Sequence, residues 1–452
     1  MDIVIAGDGA VGYALSQRLG LEGHSITIIE NDREILSNTL ETLDVMGILG
    51  NGASLDVQVK AGVPDADLLI AATSSDELNM ICCITAKHLG AKHTIARIRN
   101  PEYLKQLTMF TEQFGLSMVI NPEMETAREI NRVLKFPAAL KVDTFARGRA
   151  ELVEFWINPE NPLADKMLME LGGKSGSKIL ICAVDRAGEV HIPNGKFVLN
   201  SGDKIYITGE NRDISDFVYS VGDFPKNIRS VIMVGGGRVC YYLSRLLDDK
   251  RCRIKIIEKN RERCEKLCEL LPKAEIIHGD GSDLDLLESE GIDNVDAFVS
   301  LTGTDEENMV MSMVAIQKKV DKVITKINRF DYKPIMDMAG IGSVINPKLA
   351  TTDQIARYVR AMQNTGGGGV NTIHKLVDNK AEALEFTAGK GTKHLNVLLE
   401  KLELKPGLIL AAIVRRGKVI IPHGKDSIQE KDDVVVVTTN RIPLKELNDI
   451  FR

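Results

Sequence analysis

The chain lacks several features that would assign it at once. No apolar run approaches the roughly 20 residues that a membrane-spanning helix needs. The first residues, MDIVIAGDGAVG, begin directly with a buried-strand pattern. They lack a basic segment leading into an apolar core, so no export signal is expected. There is no basic surplus either: 57 Lys and Arg stand against 63 Asp and Glu, a net charge of −6. That balance argues against nucleic acid and against broad adhesion to anionic lipid as partners. Seven cysteines, an odd number without a regular framework, suit a reducing compartment. Cys264 and Cys268 lie four apart in an expected helix and read as two free thiols. Also missing are a Gly-x-x-x-x-Gly-Lys-Ser/Thr loop, a Lys/Tyr couple at helical spacing and a Cys₂/His₂ metal spacing. The eight histidines do not cluster near any motif. A dehydrogenase needs an acid, a base or an orienting group against its substrate, and nothing here points to one.

What the chain has is itself twice. Gly7, Gly9 and Gly12 open a phosphate-loop pattern, and Gly235, Gly236 and Gly237 open a second one 228 positions later. Glu30 recurs as Glu258. Residues 50–80 match residues 279–309 without gaps at 11 of 31 positions, where ordinary composition gives about two. Such a period has to be settled before the fold. Short apolar runs (3–7, 25–30, 68–73, 93–98 and 117–120) alternate with helical stretches, one of them from Asp76 to Leu89. Parallel strands buried on both faces, a doubly wound sheet, are expected. Near residue 140 the texture changes to short strands around one helix, LADKMLMEL. The expected fold is α/β: two Rossmann-like doubly wound parallel-sheet domains, each followed by a small α+β domain. Expected boundaries are 1–136, 137–224, 225–364 and 370–452, with a flexible TGGGG linker before the last.

The glycines each have a reason. The first permits a tight turn, the second lets backbone approach a pyrophosphate, and the third lets helix pack on strand. The helix N-terminus then offers free N–H groups to phosphate. Gly7, Asp8, Gly9, Ala10, Val11 and Gly12 form the first expected cradle. Gly235, Gly236, Gly237, Arg238 and Val239 form the second, with Cys240 in place of the third glycine. Glu30 and Glu258 are placed to accept hydrogen bonds from ribose hydroxyls and to repel a 2′-phosphate, which disfavours NADP. NAD(H), ATP and ADP remain. Asn51-Gly52 and Asp280-Gly281 are expected near an adenine edge. Thr73, Ser74 and Thr302 are expected at the ends of the fourth strands, and Arg97 and Lys326 at the fifth, facing phosphate. Asp76 and Asp305 are expected to cap the following helices.

IVIAGDGAVGYALSQRL, Glu30, GNGAS, AATSSDELNM and IARIRNPEY resemble the regulator-of-potassium-conductance domain, also called the potassium-transport nucleotide-binding domain. The small modules, with their IPNG and IPHG turns, resemble the domain that follows it. The tandem order is similar to the peripheral subunits of bacterial Trk potassium-uptake systems. The resemblance implies a cytoplasmic regulatory protein without enzymatic activity. Its dimer or tetramer would form a ring under a membrane-embedded Trk-type potassium-translocating subunit. Nucleotide would change the ring and so the gate. Other readings are an NAD-dependent oxidoreductase, a nucleotide sensor for another transporter and an assembly protein with dead sites.

Overall fold

The computed structural model describes residues 1–452 except 105, 107–110, 112, 160, 172–177, 221–227, 249–251, 330–331, 365–368, 378–379 and 440–443. The expected boundary at Phe224-Pro225 and most of the TGGGG linker lie outside the described residues.

The first sheet holds β1 (Asp2–Ala6), β2 (Ser25–Glu30), β3 (Met46–Leu49), β4 (Leu68–Ala71), β5 (His93–Arg97) and β6 (Met118–Ile120). Their order is β3-β2-β1-β4-β5-β6. The order reverses between β1 and β4, which opens a crevice at the carboxyl ends of the strands. All four residues of β4 are buried, as a strand covered on both faces requires. A small antiparallel sheet follows: β7 (Ala139–Phe145), β8 (Ala150–Trp156), β9 (Ile179–Arg186), β10 (Glu189–His191) and β11 (Lys204–Gly209).

The second half repeats both sheets. β12 (Ser230–Val234), β13 (Arg253–Glu258), β14 (Glu275–His278), β15 (Ala297–Ser300), β16 (Lys322–Lys326) and β17 (Ser343–Ile345) take the order β14-β13-β12-β15-β16-β17. β18 (Val370–Leu376), β19 (Ala381–Thr387), β20 (Leu408–Arg415), β21 (Lys418–Ile420) and β22 (Asp433–Thr439) form the second small sheet.

Each half lends the other a helix. Asn121 caps the Pro122–Lys135 helix, and its proline sits at the first turn, where no N–H is needed. This helix buries Ile130, Val133 and Leu134 against Val231, Leu243 and Ile256 of the second half. Reciprocally, the Pro347–Gln363 helix buries Ile355 and Val359 against Ile3, Leu15 and Ile28 of the first. Each such side chain contributes about 1.5–3 kcal/mol. The two small sheets also share a core, with Phe145, Leu152 and Tyr206 against Ala383, Ala411 and Val437.

Two expectations about elements need correction. The helix expected over 163–171 shrinks to Leu168–Leu171. Asp165 takes a φ of 63°, which a helix does not tolerate. The longer helix of that module is Asn211–Ser220, which the sequence reading missed. The fourth strands also end earlier than expected, at Ala71 and Ser300, so Thr73 and Thr302 sit in the loops beyond.

Candidate functional site

Each half has a crevice beside its first strand, where the strand order reverses. Gly7 has a φ of +97°, and a Cβ on it would lie 2.8 Å from the backbone nitrogen of Thr73. Only glycine fits such a turn at no cost. A Cβ on Gly12 would lie 1.9 Å from the carbonyl oxygen of Gly7, so the helix can approach the strand only without a side chain. A Cβ on Gly9 meets nothing within 4 Å. The loop is open on that side. Ala10 is exposed beside it, while Val11 is buried beneath the helix. Gly9 caps the Ala10–Leu21 helix without any side-chain bond, leaving its first N–H groups available.

The second loop repeats this with one change. Gly235 has a φ of +100°, and its Cβ would meet the Thr302 nitrogen at 2.9 Å. Gly237 is open and caps the Arg238–Leu247 helix, again without a side-chain bond. Cys240 replaces the third glycine. It is fully buried, its Sγ lying 3.7 Å from Met233 Sδ, so this helix seats a side chain where the first half has none. Val239 is buried and Arg238 exposed.

The acids at the ends of β2 and β13 hold these loops. Glu30 accepts from the backbone N–H of Asp8 at 2.6 Å, Asn31 at 2.8 Å and Asp32 at 3.0 Å. A carboxylate has about four lone-pair positions, so one stays open for a ribose hydroxyl. Glu258 accepts from Gly236 at 2.7 Å and Asn260 at 2.8 Å, leaving two.

Asp8 and Gly236 occupy equivalent positions and are packed differently. Asp8 is 3% exposed, and its carboxyl lies beside the Thr39 hydroxyl. Burial pushes its carboxyl above the usual range, the nearby Thr39 hydroxyl offsets part of this, and Glu30 adds to it. In the second half a Cβ on Gly236 would lie 2.5 Å from Leu267 Cδ1. Leu267 stands where the first half has Thr39, so one pocket holds an acid and the other a leucine.

The remaining expected residues divide into two groups. Gly52 and Gly281 are packing glycines: their Cβ atoms would meet Ala6 Cβ at 2.9 Å and Val234 Cγ1 at 2.1 Å. Asn51 and Asp280 turn the loops by accepting from the N–H groups of Ala53 and Ser282. Asp280 also lines the second cleft, with Gly235, Gly237, Glu258, Gly281 and Thr302. This cleft encloses about 230 Å³. Thr73 and Thr302 donate their N–H and hydroxyl to Asn79 and Asn308. Those asparagines, fully buried, also donate to the carbonyls of Arg97 and Lys326. They tie the fourth strand to the fifth at the mouth of each cleft. The sequence reading passed over them, although Asn79 and Asn308 recur within the matched segment.

Asp76 and Asp305 do not cap their helices. Ser75 caps the first by accepting from Leu78, and Thr304 stands at the second cap position without a side-chain bond. Asp76 instead accepts from the N–H groups of Arg99 and Asn100, and Asp305 from those of Asn328 and Arg329. One residue past the cap, a carboxylate reaches the neighbouring loop more readily than its own helix. The side chain of Arg99 meets Ser74 through its carbonyl.

The halves meet just past the fifth strand of the first, where Tyr242 donates to the Arg99 carbonyl at 3.0 Å. Arg97 is largely buried, and its Nε has no hydrogen-bond partner among the described residues. Burial disfavours its charge, as do Arg99 and Arg238, while Glu123 and Asp76 favour it. Arg238 belongs to the second loop, so it stands within electrostatic reach of the first cleft. Glu123, on the helix that the first half lends, also acts on Lys326. Lys326 donates to the Leu301 carbonyl at 3.3 Å, and burial pulls its amine down. The sequence reading did not foresee Glu123, because its place depends on the exchanged helix. Among the described residues no group of His, Cys, Asp and Glu could hold a metal, and no helix is long and apolar enough to cross a membrane.

Comparison with known proteins agrees with this architecture. The TrkA-N domain profile matches residues 3–122 and 231–347, and the TrkA-C domain profile matches residues 152–218. The chain is 33% identical over 444 residues to the Trk system potassium uptake protein TrkA homolog 2 of Methanosarcina mazei, covering 96% of this chain and 97% of that one. It is 31% identical over 458 residues to the Trk system potassium uptake protein TrkA of Halomonas elongata, covering 100% and 99%. Among solved structures, the RCK domain of GsuK shares the fold with a TM-score of 0.63 at 17% identity, covering 97% and 92%. The GsuK channel bound to NAD matches with a TM-score of 0.62 at 17% identity, covering 97% and 77%.

Proposed function

The chain belongs to the TrkA family of Trk potassium-uptake proteins, and from that premise we propose that it is their nucleotide-sensing regulatory subunit. It acts in the cytoplasm, as a ring-forming homo-oligomer docked on a membrane-embedded potassium-translocating partner. It binds NAD(H) or ATP/ADP, disfavours NADP, and carries out no chemistry on what it binds. The observation that carries this reading is the pair of glycine loops, one in each half, each at a helix start without a side-chain cap and held by a strand-end glutamate.

Three features support nucleotide binding. The open sides of Gly9 and Gly237 face uncapped helix N-termini, which attract phosphate. Glu30 and Glu258 keep lone pairs free while fixing the loops. The second cleft brings glycine backbone together with Glu258, Asp280 and Thr302, polar groups of the kind that orient a small ligand. The polar side chains around the loops engage backbone, as Asn79, Asp76 and Glu30 do, which suits a holding site. A phosphate tail in the first cleft extends toward Arg97 of its own half and Arg238 of the other. A ligand there is favoured by one arrangement of the halves over another, and only such differential affinity shifts a conformational equilibrium.

The test is potassium flux in vesicles carrying the purified membrane partner, with this chain added outside. Flux that changes with the chain and again with nucleotide supports the reading. Flux indifferent to both would sink it.

A further inference from the structure

The surface between the halves has approximate two-fold symmetry. The helix after β6 packs on the second glycine-loop helix, and the helix after β17 packs on the first. Smaller contacts are reciprocal too. Lys380 donates to the Gly188 carbonyl at 2.6 Å, and its counterpart Arg149 lies against Gly417, the counterpart of Gly188. Such a surface is self-complementary. Left symmetric, it would let a first half pair with the first half of another copy.

On the axis the symmetry is broken. β7 and β18 are equivalent strands, and Asp143 and His374 are equivalent positions in them. They meet each other: His374 Nδ1 lies 3.2 Å from Asp143 Oδ1, and Nε2 lies 3.2 Å from the Thr144 carbonyl. Both partners are acceptors, so either ring nitrogen finds one when it carries hydrogen. Lys141 Nζ holds the other Asp143 oxygen at 2.9 Å. Burial alone would raise this carboxyl, but His374 and Lys141 outweigh it and hold it far below the usual range. Among the described residues, two further contacts are made in one sense only. Tyr242 accepts from Asn121 at 3.1 Å and donates to the Arg99 carbonyl at 3.0 Å, whereas its counterpart is Ala14. Arg360 pairs with Glu22, whose counterpart in the sequence is Lys250.

We propose that the half-to-half surface is heterotypic: it fits the opposite half and rejects its own kind. Two first halves would set Asp143 against Asp143 and lose the Tyr242 bonds. Two second halves would set His374 against His374 and aim Arg360 at a lysine position. The acid–base pair on the axis therefore directs each half to its mate in the same chain and keeps copies from exchanging halves. Like charges facing each other are a usual means of rejecting a wrong partner.

The test uses the full-length chain as wild type, Asp143→His, His374→Asp and the double exchange. Each single exchange places like groups on the axis and lowers the unfolding midpoint by about 2–4 °C. The double exchange recovers at least half of the summed loss, and losses that simply add would overturn the pairing. His374→Gln, milder in shape, gives a smaller loss if a single exchange fails to fold. In parallel, isotope-labelled and unlabelled wild-type chains are refolded together, and cross-links from Lys380 to the segment around Gly188 are analysed by mass. Single-isotope cross-links are expected; mixed-isotope cross-links at the statistical level would contradict the proposal.

Discussion

The two clefts share a scaffold, and their glycine loops differ at three places. Asp8 faces Gly236, Ala10 faces Arg238, and Gly12 faces Cys240 in a comparison of the loops. Everything that turns the chain is kept: both first glycines have φ near +100°, both strand-end glutamates bind loop N–H groups, and both asparagines clamp the fourth strand to the fifth. What varies is charge and packing around the ligand. The two halves thus keep one loop geometry and differ in the charge and packing around it.

The largest expected effect sharpens the contrast at the third glycine. Gly12→Ala pushes a methyl into the Gly7 carbonyl, so we expect about 3 kcal/mol of lost stability in denaturant unfolding. Binding at the first cleft falls with it. Cys240→Ala changes a position that already seats a side chain, and it should cost no more than about 1.5 kcal/mol. Equal costs would mean the two helices approach their strands alike.

A second pair of variants should show no contrast. Asn79→Ala and Asn308→Ala each leave a buried threonine N–H and a carbonyl without partners. Both should cost about 2 kcal/mol by the same unfolding measurement. A large difference between them would break the equivalence of the clefts.

A third prediction concerns a group that only the second half has. Lys322 is buried, donates to Ser343 Oγ at 2.7 Å and to the Ala139 carbonyl, and burial pulls its amine down to about 7. Between about pH 7 and its ordinary value of 10.5, the unfolded chain binds the proton and the folded chain does not. Stability therefore rises with pH across that window, by about 1–2 kcal/mol up to pH 9. Lys322→Met should flatten that portion of the pH–stability curve. His93 holds the equivalent place in the first half.

The smallest effect transplants one pocket into the other. Asp8→Gly with Thr39→Leu gives the first cleft the packing of the second. The folded-state carboxyl of Asp8 is raised, so the folded chain binds its proton more tightly than the unfolded chain. Wild-type stability accordingly falls as pH rises through that range, and the penalty is full at neutral pH. The double variant should be the more stable chain at pH 7 and lose that advantage as the pH falls through the ordinary carboxylate range. Thermal unfolding at neutral and at acid pH measures it.

Much of this was legible in the sequence. The internal repeat, the glycine spacings and the acids at the ends of the second strands fix the Rossmann-like order and the places of both loops. Local signals suffice there, since each turn is made by the residues that mark it. Legibility ended where the halves touch. Nothing local says that the helix after Asn121-Pro122 packs on the other half, so Glu123, Tyr242 and the reach of Arg238 stayed hidden. Asp76 and Asp305 show the same limit. Their place at a helix start suggested a cap, while the bonds they make run to a loop more than 20 residues away. In the small module, the positive φ at Asp165 ended a helix whose apolar spacing looked sufficient.

The most direct test of the account asks whether the second half contributes to ligand binding in the first. Calorimetric titration of ATP, ADP, NAD and NADH would be run on Glu258→Ala, which weakens the second cleft, with and without Arg238→Ala. The account predicts that Arg238→Ala weakens at least one nucleotide at the first cleft about tenfold, or ~1.4 kcal/mol. Unchanged affinity there would contradict the claim that the halves read a nucleotide together.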